Sequence, residues 1–232
     1  MEETRNKKSV LLLGNSGGGK TYAIKKLVQE HGDKIAYIDN DGKSMFPFKG
    51  KNKIAKYIVP SDPLEVLQGI RALEEDPKIE YIIIDTLSHW LRILEQKHVI
   101  ESADSRSAWG KTYQAALQDL LHYANNVSKK SWIFMSHIME GETENFKTPT
   151  KAFVKGATKS VGIESWFSVV VYVESFDDEE SATGVGYRFQ VEKTKETTGL
   201  SVKTPEEMFP EPYVVPNDIT LIFDAIDKYE DD

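Results

Sequence analysis

Gly14-Asn15-Ser16-Gly17-Gly18-Gly19-Lys20-Thr21 is the stretch on which the fold turns. It matches G-x-x-x-x-G-K-[ST], and its surroundings give that pattern meaning. An apolar run, Ser9 to Leu13, ends at Gly14, and a helical pattern begins near Lys20 with Ile24, Leu27 and Val28 on one side. Strand, glycine loop and helix in this order let successive backbone N–H groups converge on phosphates at the positive end of a helix. Lys20 is expected to reach the β and γ phosphates of ATP, and Thr21 to ligate magnesium. The segment from Gly14 to Thr21, with Tyr22 directly after it, forms the expected nucleotide contact.

Outward from the loop, strands and helices alternate. A second strand is expected over Ile35 to Asp39, then an irregular Lys- and Gly-rich stretch to Val59. Asp62-Pro63-Leu64-Glu65 has the marks of a helix start, and that helix runs to about Glu75. Tyr81 to Ile84 is a continuous apolar run, as a parallel strand covered on both faces requires, and ends at Asp85. Helical periodicity returns over Trp90 to Ile100 and over Tyr113 to Val127, with a polar loop, Glu101 to Gly110, between. Ser131 to Ser136 reads as a strand, followed by a long polar segment without clear period until Trp166. Phe167 to Glu174 and Val185 to Glu192 form a strand pair, and Asn217 or Asp218 caps a last helix carrying Leu221, Ile222, Ala225 and Ile226. The expectation is an α/β fold, residues 1–232 as one domain, with a mainly parallel sheet flanked by helices and antiparallel strands towards the C-terminus.

Composition narrows the function. The net charge of −8 excludes a globally basic nucleic-acid binder, so contact with a phosphate backbone requires a local strip. There are no cysteines, which excludes a disulfide framework and thiolate metal sites. The charged stretch Met1 to Lys8 is unlike a signal peptide, and no apolar run approaches the length of a membrane span, so a cytoplasmic protein without membrane contact is expected.

Further candidates sit at strand ends, where open α/β sheets gather ligands. Asp85 ends a buried strand and is the expected second magnesium residue; Thr86 follows it where many ATPase families have Glu. Asp39 and Asp41 end the second strand, and Asp41 is the candidate to orient an attacking water, against the alternative of a simple acidic turn. His137 follows the strand Trp132 to Met135 and is placed to sense a γ-phosphate. Lys147, Lys151, Lys155 and Lys159 interleave with Phe146 and Phe153 in a segment without an acidic residue, the composition that sequence-tolerant single-strand binding uses. A solvated lysine-bearing loop is the alternative. Lys193 and Lys195 lie at a strand end, on the surface or within reach of a neighbouring subunit's nucleotide.

Together the phosphate loop, Tyr37-Ile38-Asp39-Asn40-Asp41, Tyr81-Ile82-Ile83-Ile84-Asp85-Thr86 and Met135-Ser136-His137 resemble a RecA-like P-loop NTPase core, and in particular the small phage-encoded ATPases of the Sak-type single-strand annealing group. The resemblance runs from about Ser9 to Tyr229, through Met208-Phe209-Pro210 and Pro216-Asn217-Asp218. It implies an ATPase that binds single-stranded DNA for annealing or strand exchange in phage recombination or replication. It also implies a homo-oligomer, ring or filament, with nucleotide between subunits, a phage single-strand binding protein as a partner, and the host cytoplasm as location. Asp41 falls where RecA-like proteins keep a catalytic carboxylate, usually Glu, and His137 where RecA has a glutamine that senses the γ-phosphate; both depart from the family's residues. Lys195 falls near the cations that act across a subunit interface. A phosphotransferase acting on a small molecule is the rival class, with Arg92 and Arg106 its only obvious extra cations, and a nucleotide-gated assembly factor with little turnover is the third reading.

Overall fold

The computed structural model describes residues 8–43, 45–139, 150–155, 162–195 and 197–231. The strands are β1 (Ser9–Leu13), β2 (Ile35–Asp39), β3 (Lys56–Ile58), β4 (Tyr81–Asp85), β5 (Ser131–Ser136), β6 (Ile138–Met139), β7 (Lys151–Ala152), β8 (Val169–Asp177), β9 (Val185–Gln190) and β10 (Val214–Pro216). The α-helices are α1 (Lys25–His31), α2 (Pro63–Glu75), α3 (Leu87–Glu95), α4 (Ser105–Ala108), α5 (Ala115–His122) and α6 (Ile219–Asp231). Eight strands form one sheet in the order β10-β9-β8-β1-β5-β4-β2-β3. The pairs from β8 through β1, β5, β4 and β2 to β3 are parallel, and β8–β9 and β9–β10 are antiparallel.

Side-chain alternation along each strand feeds two apolar layers. Leu11, Leu13, Ile82, Ile84 and Phe134 pack on one face with Val66 and Ile70 of α2, Trp90 and Leu91 of α3, and Leu117 and Leu120 of α5. Val10, Leu12, Ile83, Ile133 and Met135 pack on the other with Leu27 and Val28 of α1 and Ile222 and Ile226 of α6. Both faces are therefore covered, which is why these strands read as unbroken apolar runs rather than alternating ones.

Several local expectations change. The helix after the loop opens as a 3-10 turn, Tyr22–Ile24, and becomes α-helical only at Lys25. The stretch expected to be irregular contains β3, whose three residues Lys-Tyr-Ile are too short for a period to show. The expected loop from Glu101 to Gly110 contains α4, capped by Asp104, whose Oδ1 accepts a hydrogen bond from the Ser107 N–H at 3.0 Å. Its polar, largely exposed residues give no apolar stripe to read. After β5 the chain forms the two-residue ladder of β6 with β7.

The order of strands is what builds the site. β5 lies between β1 and β4, and β2 is next to β4, so Gly14, His137, Asp85 and Asp39 to Asp41 all emerge at one edge of the sheet.

Candidate functional site

A cleft of about 470 Å³ opens at that edge, lined by Ser16, Gly17, Gly19, Lys20, Thr21 and Tyr22 from the glycine loop, by Asp41, Lys43, Met45, Phe46 and Pro47 after β2, and by His137 and Tyr187. Two loop glycines are required by their surroundings. Gly19 has φ +98°, and a Cβ there would stand 2.6 Å from the Tyr187 ring. At Gly14 a Cβ would stand 2.6 Å from the Val173 carbonyl oxygen of neighbouring β8.

Lys20 is buried and curls over its own loop, its ammonium donating to the Gly14 and Asn15 carbonyls at 2.8 Å each. The same nitrogen is 3.3 Å from His137 Nδ1. Burial lowers the Lys20 pKa to about 8, with Asp85 opposing and Lys43 adding to the fall. His137 is also held below its ordinary value, first by burial and then by the charge of Lys20. Its backbone N–H donates to Ser88 Oγ of α3 at 2.8 Å, which ties the main chain that carries the ring to the helix that follows β4.

Asp85 is fully buried. The Thr21 hydroxyl donates to its Oδ2 at 2.9 Å, and the Tyr37 hydroxyl donates to the same atom. Burial and the adjacent Asp85 charge push the Tyr37 pKa well up, so this phenol stays protonated as a donor. The Asp85–Thr86 peptide bond is cis. Asp41 Oδ1 accepts from the Thr86 N–H at 3.2 Å and the Thr86 hydroxyl at 2.9 Å, with His89 Nδ1 3.5 Å away. Burial acts to raise the Asp41 pKa, but Lys43 and the two Thr86 donors outweigh it and hold the carboxyl below its usual range. Asp39 faces its own turn, taking the N–H groups of Asp41 and Gly42 on Oδ1 and the Tyr57 hydroxyl on Oδ2. It is a structural residue.

Lys43 completes the set. Its ammonium is 2.9 Å from Asp41 Oδ2, 3.2 Å from both Asp85 oxygens and 3.4 Å from Thr21 Oγ1. A cation is thus already accommodated among hard oxygen donors from Thr21 and Asp85, the donor set that suits magnesium held by few protein ligands and by substrate phosphates. The residues fit the metal. Among the described residues no group of three or more His, Cys, Asp or Glu side chains forms a separate metal cage.

The model of the AAA_24 family, described as an AAA domain, matches residues 6–205. The chain belongs to that family. Among solved structures, this AAA_24 chain is similar to the RadB recombinase, with 15% identity, a TM-score of 0.49, and 83% of this chain and 84% of that one covered. It is similar to a KaiC-like protein from the hyperthermophilic archaeon Pyrococcus horikoshii OT3, with 14% identity, a TM-score of 0.44, and coverage of 83% and 82%. An ATPase from the type III secretion system of pathogenic bacteria is similar over 72% of this chain and 52% of that one, with 14% identity and a TM-score of 0.44. A search of the curated proteins returned no match. The AAA_24 chain has the α/β core with a mainly parallel sheet flanked by helices expected from its sequence, with the antiparallel strands β9 and β10 beyond β8.

The structure gathers Lys20, Thr21, Tyr22, Asp41, Asp85 and His137 around the cleft. Ser16, Gly17 and Gly19 line it, whereas Gly14, Asn15 and Gly18 shape the loop behind: the Gly18 N–H donates to the Asn15 carbonyl at 3.1 Å. Lys193 and Lys195 are exposed beyond β9 and do not line the cleft. Lys151 is exposed and Phe153 half-buried, but Lys155 is paired with Glu95 at 2.6 Å rather than free. Lys147 and Lys159 lie outside the described residues. Arg92 and Arg106 do not line the cleft, whose described cations are Lys20 and Lys43. Sequence reasoning missed Lys43, Phe46 and Tyr187. The first two belong to the stretch without a period, and Tyr187 reads as one more residue of a strand pair. No helix among the described residues is long and apolar enough to cross a membrane.

Proposed function

We propose that this AAA_24 ATPase couples its nucleotide state to single-stranded DNA, serving annealing or strand exchange in phage recombination or replication as a homo-oligomer. One observation carries the reading: His137, 3.3 Å from Lys20, precedes the lysine-bearing segment and is tied to the middle of it. The His137 carbonyl accepts the Phe153 N–H at 2.8 Å, and Ile138 pairs with Ala152 directly beyond. A change at the phosphate-facing imidazole therefore has a short, hydrogen-bonded route into the segment that carries Lys147 to Lys159.

In the chemistry, Lys20 and the loop bind the triphosphate, and Thr21 and Asp85 would hold magnesium, whose charge would offset that developing on the phosphoryl oxygens. Asp41 orients water, and Lys195 supplies a cation to a neighbouring subunit's cleft. The coupling of Asp41 to Lys43 and Thr86 supports a second reading, a nucleotide-gated assembly switch with slow turnover, because both carboxylate oxygens are engaged.

Steady-state ATP hydrolysis with and without single-stranded DNA tests the first reading, and DNA is expected to stimulate it. Absence of stimulation, together with no DNA binding in the presence of a non-hydrolysable ATP analogue, would leave the switch.

A further inference from the structure

The four contacts of Lys43 have no place in the phosphate-loop signature, yet three of them converge on Thr21 and Asp85, the residues that would hold the metal. Asp41 and Asp85 set two carboxylates against one ammonium, and burial of Asp85 makes that charge expensive without a cation beside it. The Lys43 backbone is anchored independently: its carbonyl accepts the Tyr57 hydroxyl at 3.3 Å and the Lys51 ammonium at 3.5 Å. The flexible four-carbon side chain can thus swing while the strand end stays in place. Magnesium binds oxygens at about 2.0–2.1 Å, so an ion on Thr21 and Asp85 would stand against an ammonium bonded to the same two groups.

We propose that Lys43 is a built-in cation that holds the metal position, and that a divalent ion must displace it, so that ammonium and ion compete for Thr21 and Asp85. Release of Lys43 frees Asp41 Oδ2 and puts a positive charge at the phosphate-facing wall of the cleft. This makes cleft activation a cation exchange, and it rests on the magnesium–nucleotide reading of the site.

The experiment is the binding of a fluorescent ADP analogue across a magnesium titration, for the wild type and Lys43→Gln. The glutamine variant is expected to lower the magnesium concentration at half-effect about tenfold, equivalent to 1.4 kcal/mol less competition. An unchanged midpoint overturns the proposal. A second measurement uses the wild type alone: acylation of Lys43, read by mass spectrometry, should be faster with magnesium and ADP than with ADP and chelator. Equal labelling overturns it also. If neither protein binds the analogue, the nucleotide reading fails by itself. Lys43 is then judged by melting of the metal-free proteins: Lys43→Gln should melt lower than the wild type and be restored by millimolar magnesium, and a variant that melts like the wild type rejects the role.

Discussion

Asp41 serves two neighbours at once, taking both Thr86 donors on one oxygen and Lys43 on the other. A carboxylate held below its usual range is a weak proton acceptor near neutrality, so the role proposed for Asp41 is to align a water by its charge rather than to remove a proton outright. Asp41→Asn keeps an acceptor for Thr86 but loses the charge that faces Lys43. It is expected to bind ATP as the wild type does and to lose turnover by roughly 10²-fold, the order that a misplaced reactant costs. Rapid-quench hydrolysis beside equilibrium nucleotide binding reads the two effects separately, and full turnover in the variant would remove Asp41 from the mechanism.

Among the elements, α2 shows how a short sequence signal becomes stability. Asp62 caps it, Oδ1 accepting the Leu64 N–H at 2.8 Å, while His98 Nε2 lies 2.8 Å from Oδ2 and Lys97 is the other nearby cation. Burial tends to raise the Asp62 pKa, but the Leu64 bond and the His98 and Lys97 interactions outweigh it and the net shift is downward. A folded value below the unfolded one, about 3.9, gives stabilisation that is complete above the unfolded value and lost as pH falls through the folded one. Asp62→Ala is expected to cost about 1 kcal/mol at neutral pH. Melting curves of both proteins should converge in acid; a gap that persists there would assign the loss to packing. The elements that were legible were those with such signals: β1, β2, β5 and α2 fall where alternation, apolar runs and the cap put them. Those that were not, β3 and α4, are short and polar, and their positions are set by partners distant in sequence: Lys56 to Ile58 by β2, and the turn that follows α4 by the burial of Tyr113. For the same reason Lys43 was invisible. Nothing local says that a lysine after an acidic turn will meet an aspartate from another strand.

For the whole molecule, a net charge of −8 confines the proposed single-strand binding to local cations. With Lys155 engaged by Glu95, the remaining loop lysines, Lys147, Lys151 and Lys159, give an expected log–log salt slope of about −2, from roughly 0.7 per phosphate contact. Glu95→Gln should release Lys155 and steepen the slope by about 0.7. Fluorescence anisotropy with a labelled oligonucleotide over a salt series measures both, and identical slopes would show that Lys155 takes no part. At this scale one further contact matters. The Asn217 side chain, 198 positions along the chain, donates at 2.9 Å to the Gly19 carbonyl, and β1 has β5 and β8 as its neighbours. During synthesis the phosphate cradle leaves the ribosome before the parts that complete it, since it waits for two distant strands and then for Asn217, just before α6. A nascent chain stopped short of Asn217 carries the complete phosphate-loop signature without this brace, so the signature and the finished cradle are separated by most of the chain's synthesis.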